Sequence, residues 1–183
     1  IHGDLANKTR VVNYGATVLP RSESERRELR LKYGLDPESF IVGNFGIIHE
    51  TKMNVESLRA FADTARERAD AVFILVGPEY DGGASRREVA KLGLENRVRF
   101  LGPRPASEFV ELTATADIGL NLRRPPSNGE TSSSLIDLLR QGIATIITDV
   151  GTFDDFPDEA VSKVRWTGEG FEGLRRRLLE LSR

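Results

Sequence analysis

Two hydrophobic patterns alternate along the chain. Short unbroken apolar runs occupy residues 40–46, 71–76, 97–101, 117–122 and 144–148, with a weaker one at 161–164 and a possible short one at 11–13. Between them lie stretches in which apolar residues recur every three or four positions, at 21–33, 55–68, 85–92, 106–115, 135–141 and 171–181. The second pattern is that of amphipathic helices; in 55–68 it puts Leu58, Phe61, Ala62 and Ala65 on one face. Unbroken runs such as Ala71-Val72-Phe73-Ile74-Leu75-Val76 are typical of parallel strands covered by helices on both faces. Punctuation agrees: Ser22 is placed to cap the first helix, and Gly34, Gly93 and Gly142 to stop three of them. Strands separated by helical segments of this length predict right-handed βαβ crossovers. The expected fold is α/β: a doubly wound, Rossmann-like parallel sheet of about six strands, with helices on both faces.

In such sheets ligands lie beyond the carboxyl ends of the strands. Four of those ends are glycine-bearing and irregular: 46–52, 77–83, 102–105 and 123–130. The last leads into Asn128-Gly129-Glu130-Thr131-Ser132-Ser133-Ser134, which runs straight into the helical segment 135–141. A helix start exposes unpaired N–H groups and the positive end of the dipole, which suits an anion. Hydroxyls and an acid at that place point to a phosphate-bearing, hydroxyl-rich ligand such as a nucleotide sugar. Taken from the residues alone, Ser132 to Ser134 serve equally as capping residues. Glu130 is equally a dipole-favoured acid, and Asp137 part of a solvated face.

Composition narrows the partners. The 183 residues carry a net charge of −2, so no basic footprint for nucleic acid is present. There are 0 cysteines, which removes disulfides and thiolate chemistry and fits a reducing compartment. No His, Asp or Glu cluster has metal-ligand spacing, so no metal is expected. No apolar run is long enough to span a bilayer, and no signal-peptide pattern is present. The chain opens on Ile1 rather than Met, and we expect it to be part of a longer protein.

The order of motifs resembles the C-terminal, donor-binding domain of the group 1 (family 4) retaining glycosyltransferases, which have the GT-B fold. The likeness covers about residues 11–164 and rests on five pieces. They are Phe45-Gly46-Ile47-Ile48-His49-Glu50-Thr51-Lys52, Leu75-Val76-Gly77-Pro78, the run from Leu92-Gly93-Leu94 through Arg97-Val98-Arg99-Phe100-Leu101-Gly102, Ala116-Asp117, and the acidic loop and helix followed by Gly142 and Asp149-Val150-Gly151. The acidic loop departs from the usual family pair of glutamates: its second acid is Asp137, and Glu130 stands one place late. Ile47 occupies a position where the family often has arginine.

The resemblance implies a nucleoside-diphosphate sugar as donor substrate, no cofactor and no metal. It implies Lys52 and Glu130 as catalytic residues, Lys52 on the diphosphate and Glu130 near the donor sugar hydroxyls. Donor-binding positions would be Gly46, Gly77, Pro78, Val98, Arg99, Gly129, Thr131, Ser132, Ser133 and Asp137, with Asp137 on the ribose and the turns at Gly77-Pro78 and Val98-Arg99 on the base. Glu130 and Asp137, about two helical turns apart, would face one cleft. Residues 1–20 would be an interdomain linker or first strand, and 21–183 the donor domain. The partner implied is a missing N-terminal domain carrying a glycan or lipid-linked acceptor and any membrane contact. Transfer of a hexose-type sugar would need both halves, so the fragment alone would be inactive; the compartment expected is the cytoplasm. Two competing readings are a non-catalytic doubly wound regulatory module and a GT-B-like sugar-nucleotide epimerase. A receiver domain is disfavoured, because Asn44-Phe45-Gly46 stands where its acidic pair would be.

Overall fold

The structure, a computed structural model, describes residues 15–127, 129–166 and 170–183. The strand expected at 11–13 and Asn128 lie outside the described residues.

Among the described residues there are six parallel strands: β1 (Phe40–Phe45), β2 (Ala71–Val76), β3 (Val98–Phe100), β4 (Ile118–Asn121), β5 (Ala144–Thr148) and β6 (Ser162–Val164). The helices are α1 (Glu23–Lys32), α2 (Asn54–Glu67), α3 (Ala84–Leu92), α4 (Ala106–Thr113), α5 (Ser133–Arg140) and α6 (Gly170–Leu181). Strand order is β3-β2-β1-β4-β5-β6, so the direction of winding reverses between β1 and β4. That reversal splays the loops after β1 and β4 apart and leaves a crevice at their carboxyl ends. The doubly wound fold read from the pattern of apolar runs is the one observed.

Side-chain alternation divides the core into two layers. Val42 of β1 with Phe73 and Leu75 of β2 meets Leu58 and Phe61 of α2, Val89 of α3 and Leu174 and Leu178 of α6. Ile41 and Phe45 with Ile74 and Val76 point the other way, onto Leu112 of α4 and Leu138 of α5. The unbroken apolar runs therefore result from burial on both faces.

Ser22 caps α1 through a capping box: Glu25 N donates to Ser22 Oγ at 3.3 Å, and Ser22 N donates to Glu25 Oε2 at 2.7 Å. The Ala116-Asp117 motif anchors the same helix. Asp117 accepts from Arg26 at 2.7 Å, from the buried Arg30 at 2.9 Å and from the β1 amide of Ile41 at 2.7 Å. One carboxylate thus neutralises a buried guanidinium and ties α1 and β1 to the start of β4, which gives this motif residue a structural role.

Candidate functional site

β1 ends at Phe45, and the chain turns at Gly46 under the start of α5. A Cβ on Gly46 would lie 3.9 Å from Ser134 Oγ, so strand end and helix start are neighbours. A Cβ on Gly77 would fall 1.9 Å from Gly46 O, and Gly77 has φ +149°. Only glycine permits that approach, which keeps the turns after β1 and β2 flush along one edge.

The loop after β1 then forms a single 3-10 turn, Glu50–Lys52, with His49 Nδ1 accepting from Thr51 N at 3.3 Å. Met53 follows in the left-handed region at φ 56°, with its side chain fully buried. A buried side chain on a strained backbone position plugs the loop into the core and fixes where Lys52 emerges. Lys52 is half-buried and, among the described residues, makes no ion pair. Burial first and the positive charge of Arg123 second bring its pKa down to about 8, with Glu130 opposing both.

β4 delivers Arg123 to the other side of the crevice. This arginine is 6% exposed. Its Nε donates to Glu130 Oε1 at 2.8 Å and its Nη1 to Leu122 O at 2.8 Å, while the guanidinium lies 4.9 Å from the Phe153 ring centre. Its main chain is bound twice by Thr148 of β5: Arg123 N donates to Thr148 Oγ1 at 2.9 Å, and that hydroxyl donates to Arg123 O at 3.0 Å. Arg124 N donates to Thr51 O at 2.9 Å and stitches the β4 loop to the turn that carries Lys52.

The start of α5 closes the crevice. Ser132 is its N-cap, with Oγ accepting from Leu135 N at 3.4 Å. Ser134 Oγ accepts from Asn121 Nδ2 at 2.8 Å and lies 3.1 Å from Ser132 Oγ. Capping leaves the first helical amides, those of Ser133 and Ser134, directed out of the helix end without intrahelical partners. Gly129 adopts φ +73° in the loop before them.

Lys52, Gly46, Gly77, Pro78, Gly129, Glu130, Thr131 and Ser132 lie in the segments between a strand's carboxyl end and the next helix, and Ser133 opens α5. Two sequence expectations are corrected. Glu130 precedes the first helical residue, Ser133, so helical spacing does not relate it to Asp137; its carboxylate turns back onto Arg123 instead. Val98 and Arg99 do not form a turn at that edge. They are the first two residues of β3, paired with Phe73 and Ile74, and Arg99 Nη1 donates at 2.9 Å to Gly34 O in the loop before β1. Arg99 therefore reaches the amino side of the sheet, and the carboxyl-edge turn of that strand begins at Leu101.

Asp137 lies on the first turns of α5 with its side chain 17% exposed. Burial raises its pKa, and Arg140, 3.6 Å away, only partly offsets this. A shielded carboxylate with one long ion-pair contact is disposed to accept hydroxyl hydrogens. Arg123 is not among the site residues expected from the sequence: it stands in the Arg-Arg-Pro-Pro run and looks like an ordinary loop opening. Its one signal was position: the first charged residue after an apolar strand, on the side of the sheet where the winding reverses.

Two clefts flank this region. One of about 500 Å³ adjoins the β1 loop and is lined in part by His49, Glu50, Asn54, Tyr80 and Arg124. A larger one of about 650 Å³ runs along the β6 side, where Lys163 is already paired with Asp154 and Asp158. Size alone does not pick out a site here; the converging charges do. Among the described residues no group of three or more His, Cys, Asp or Glu is arranged to hold a metal ion.

Comparison with known proteins fits this geometry. The family model for glycosyl transferases group 1 matches residues 25–168, from within α1 to just past β6. The chain belongs to the group 1 glycosyl transferases. It is 30% identical over 159 residues to a D-inositol 3-phosphate glycosyltransferase of Nocardia farcinica, covering 82% of this chain and 34% of that protein. A counterpart from Corynebacterium glutamicum is 32% identical over 100 residues, covering 53% of this chain and 24% of the relative. The chain thus spans about a third or less of the curated relatives it matches. Among solved structures, Anabaena HepE in complex with UDP superposes with a TM-score of 0.76 at 22% identity, covering 96% of this chain and 49% of that one. The C-terminal domain of the group 1 protein LpcC from Francisella tularensis gives 0.74 at 18% identity, covering 91% of this chain and 87% of that domain. These neighbours share the doubly wound parallel sheet of this group 1 glycosyl transferase chain.

Proposed function

We propose that this glycosyl transferase domain binds a nucleoside-diphosphate sugar in the crevice between β1 and β4, for retaining transfer of a hexose-type sugar to a glycan or lipid-linked acceptor held by a second domain. The observation that carries the reading is the meeting of Lys52, which makes no ion pair among the described residues, a carboxylate at Glu130 and the open amides of Ser133 and Ser134 where the winding reverses. Support comes also from HepE, a neighbour of the same fold solved with UDP and with UDP-glucose.

Breaking the bond between the anomeric carbon and the diphosphate leaves negative charge on the leaving phosphate. Donors fixed in advance around that charge are the largest contribution a protein makes to such a step. Here those donors are the Lys52 ammonium and the first amides of α5. Glu130 accepts from hydroxyls of the donor sugar, and Asp137 from the ribose diol. The second domain supplies the acceptor site and any membrane contact, in a cytoplasmic enzyme. Family membership sets this reading above the epimerase and the regulatory module.

Calorimetric titration with uridine, guanosine and adenosine diphosphates tests the donor assignment, because base contacts made by main-chain groups do not declare the base. One of the three should give measurable heat. Asp137→Ala should then weaken ribonucleotide binding about fivefold, the worth of about one hydrogen bond, and weaken the 2′-deoxyribonucleotide, which presents only the 3′ hydroxyl, by less. Equal losses for both nucleotides would remove Asp137 from the ribose.

A further inference from the structure

The pairing of Arg123 with Glu130 has an unusual distribution of exposure. The arginine side chain is 7% exposed and the glutamate side chain 38%. The cation is the enclosed partner, and the carboxylate is the one that faces outward. The enclosed guanidinium is held on three sides, by Leu122 O, by Glu130 and by the Phe153 ring. Glu130 is held in turn from two further segments. Ser127 Oγ donates to its second oxygen at 3.3 Å, and Thr152 Oγ1, from the 3-10 turn Gly151–Phe153, donates to its main-chain oxygen at 2.9 Å.

We propose that Arg123 is a positioning residue for Glu130: its buried guanidinium fixes the carboxylate in one ionised orientation toward the donor sugar. This rests on the donor reading given above. An exposed glutamate on a glycine-bearing loop would sample many rotamers, and ordering it on each binding event would cost affinity. Here the ordering is built into the fold. An ionised carboxylate has about four acceptor positions. Arg123 and Ser127 take two, and the remainder can receive hydroxyls.

The charged groups acting on Glu130 come from two loops: Arg123 after β4 and Lys52 after β1, with Ser127 as a neutral donor. Its own main-chain amide and then Arg123 hold its pKa down at about 2. Without Arg123 the carboxyl's pKa rises, while its own main-chain amide, the larger cause, still holds it below the usual carboxylate range. In the parent, Glu130 therefore stays ionised from neutrality down to well below pH 4, and without Arg123 its protonation begins at a higher pH than in the parent.

The test is the ratio of affinities for the sugar conjugate and the plain nucleoside diphosphate, measured by calorimetry between pH 4 and pH 8. The ratio removes effects on the diphosphate itself, including any change at Lys52. In the parent the conjugate's advantage should hold across this range. Arg123→Met should reduce it roughly tenfold at pH 7, the equivalent of about 1.4 kcal/mol, and the remainder should be more sensitive to acid than the parent's advantage. Arg123→Lys, which keeps the charge but not the fork, should restore part of it, and it carries the test if Arg123→Met fails to fold. Glu130→Ala should abolish the advantage, and adding Arg123→Met to it should change nothing more. An advantage that survives Arg123→Met, or that falls equally in the Glu130→Ala background, overturns the positioning role while leaving the donor reading intact. No heat with any diphosphate in the parent would overturn both.

Discussion

Lys52 carries a charge that its surroundings make easy to lose. Half-burial and the neighbouring guanidinium bring its pKa to about 8, which places its titration within a measurable range. A bound diphosphate favours the charged form, so the two equilibria are linked. Below about pH 8 the ammonium is present and attraction is complete; above it the attraction fades. We predict that diphosphate affinity falls between pH 7 and pH 9.5 in the parent. Lys52→Ala should bind about 1.5–3 kcal/mol more weakly at pH 7 and lose that slope, since a hydrogen bond to a charged group has about this worth. An unchanged slope in the variant would assign the titration elsewhere. Lys52 was singled out as a candidate by the family resemblance, which places a lysine after the glycine-ended strand. Arg123 was not, because nothing in an arginine–proline run says that its main chain is held by Thr148 of β5 and its guanidinium by Phe153, about 25 and 30 positions away.

At the scale of elements, the site depends on how closely α5 lies on β4. A Cβ on Gly119 of β4 would stand 2.5 Å from Leu138 Cδ1, and Leu138 is fully buried. A larger residue at Gly119 must therefore displace the Leu138 side chain within the core or lift α5. Gly119→Val should cost about 1–3 kcal/mol of stability, the range for overpacking a core. It should also weaken diphosphate binding, because the amides of Ser133 and Ser134 move with the helix. Denaturant melts and calorimetry on the same variant check both. Lost stability with full affinity would show that the start of α5 does not hold the anion. Elements were the best-read level of the chain: every helix and strand within the described residues appears where hydrophobic period and stop signals put it, with ends shifted by a residue or two. The failures came at an end and at an edge. Glu130 was counted into a helix that begins at Ser133, because the hydroxyl run gives no sign of which serine is the cap. Val98 and Arg99 were assigned to a turn, because β3 is only three residues long and its pattern does not reveal which end meets the crevice.

At the scale of the molecule, the order β3-β2-β1-β4-β5-β6 brings the β1 and β4 loops to the point where the winding reverses, and Lys52, Arg123 and Glu130, far apart in sequence, act on one another there. The fold was legible from apolar runs alone. The place of the site followed from the fold, while the pairing inside it depended on contacts across the sheet that no local pattern encodes. The central claim, that a nucleoside diphosphate occupies the β1–β4 crevice, is tested most directly by an amide chemical-shift titration of the isotopically labelled chain with uridine diphosphate, and with the guanosine and adenosine forms in parallel. We predict that the largest shifts fall on Gly46 to Lys52 and on Glu130 to Leu135. Shifts centred instead on the β6 cleft around Asp154 and Lys163, or none with any of the three, would contradict the account.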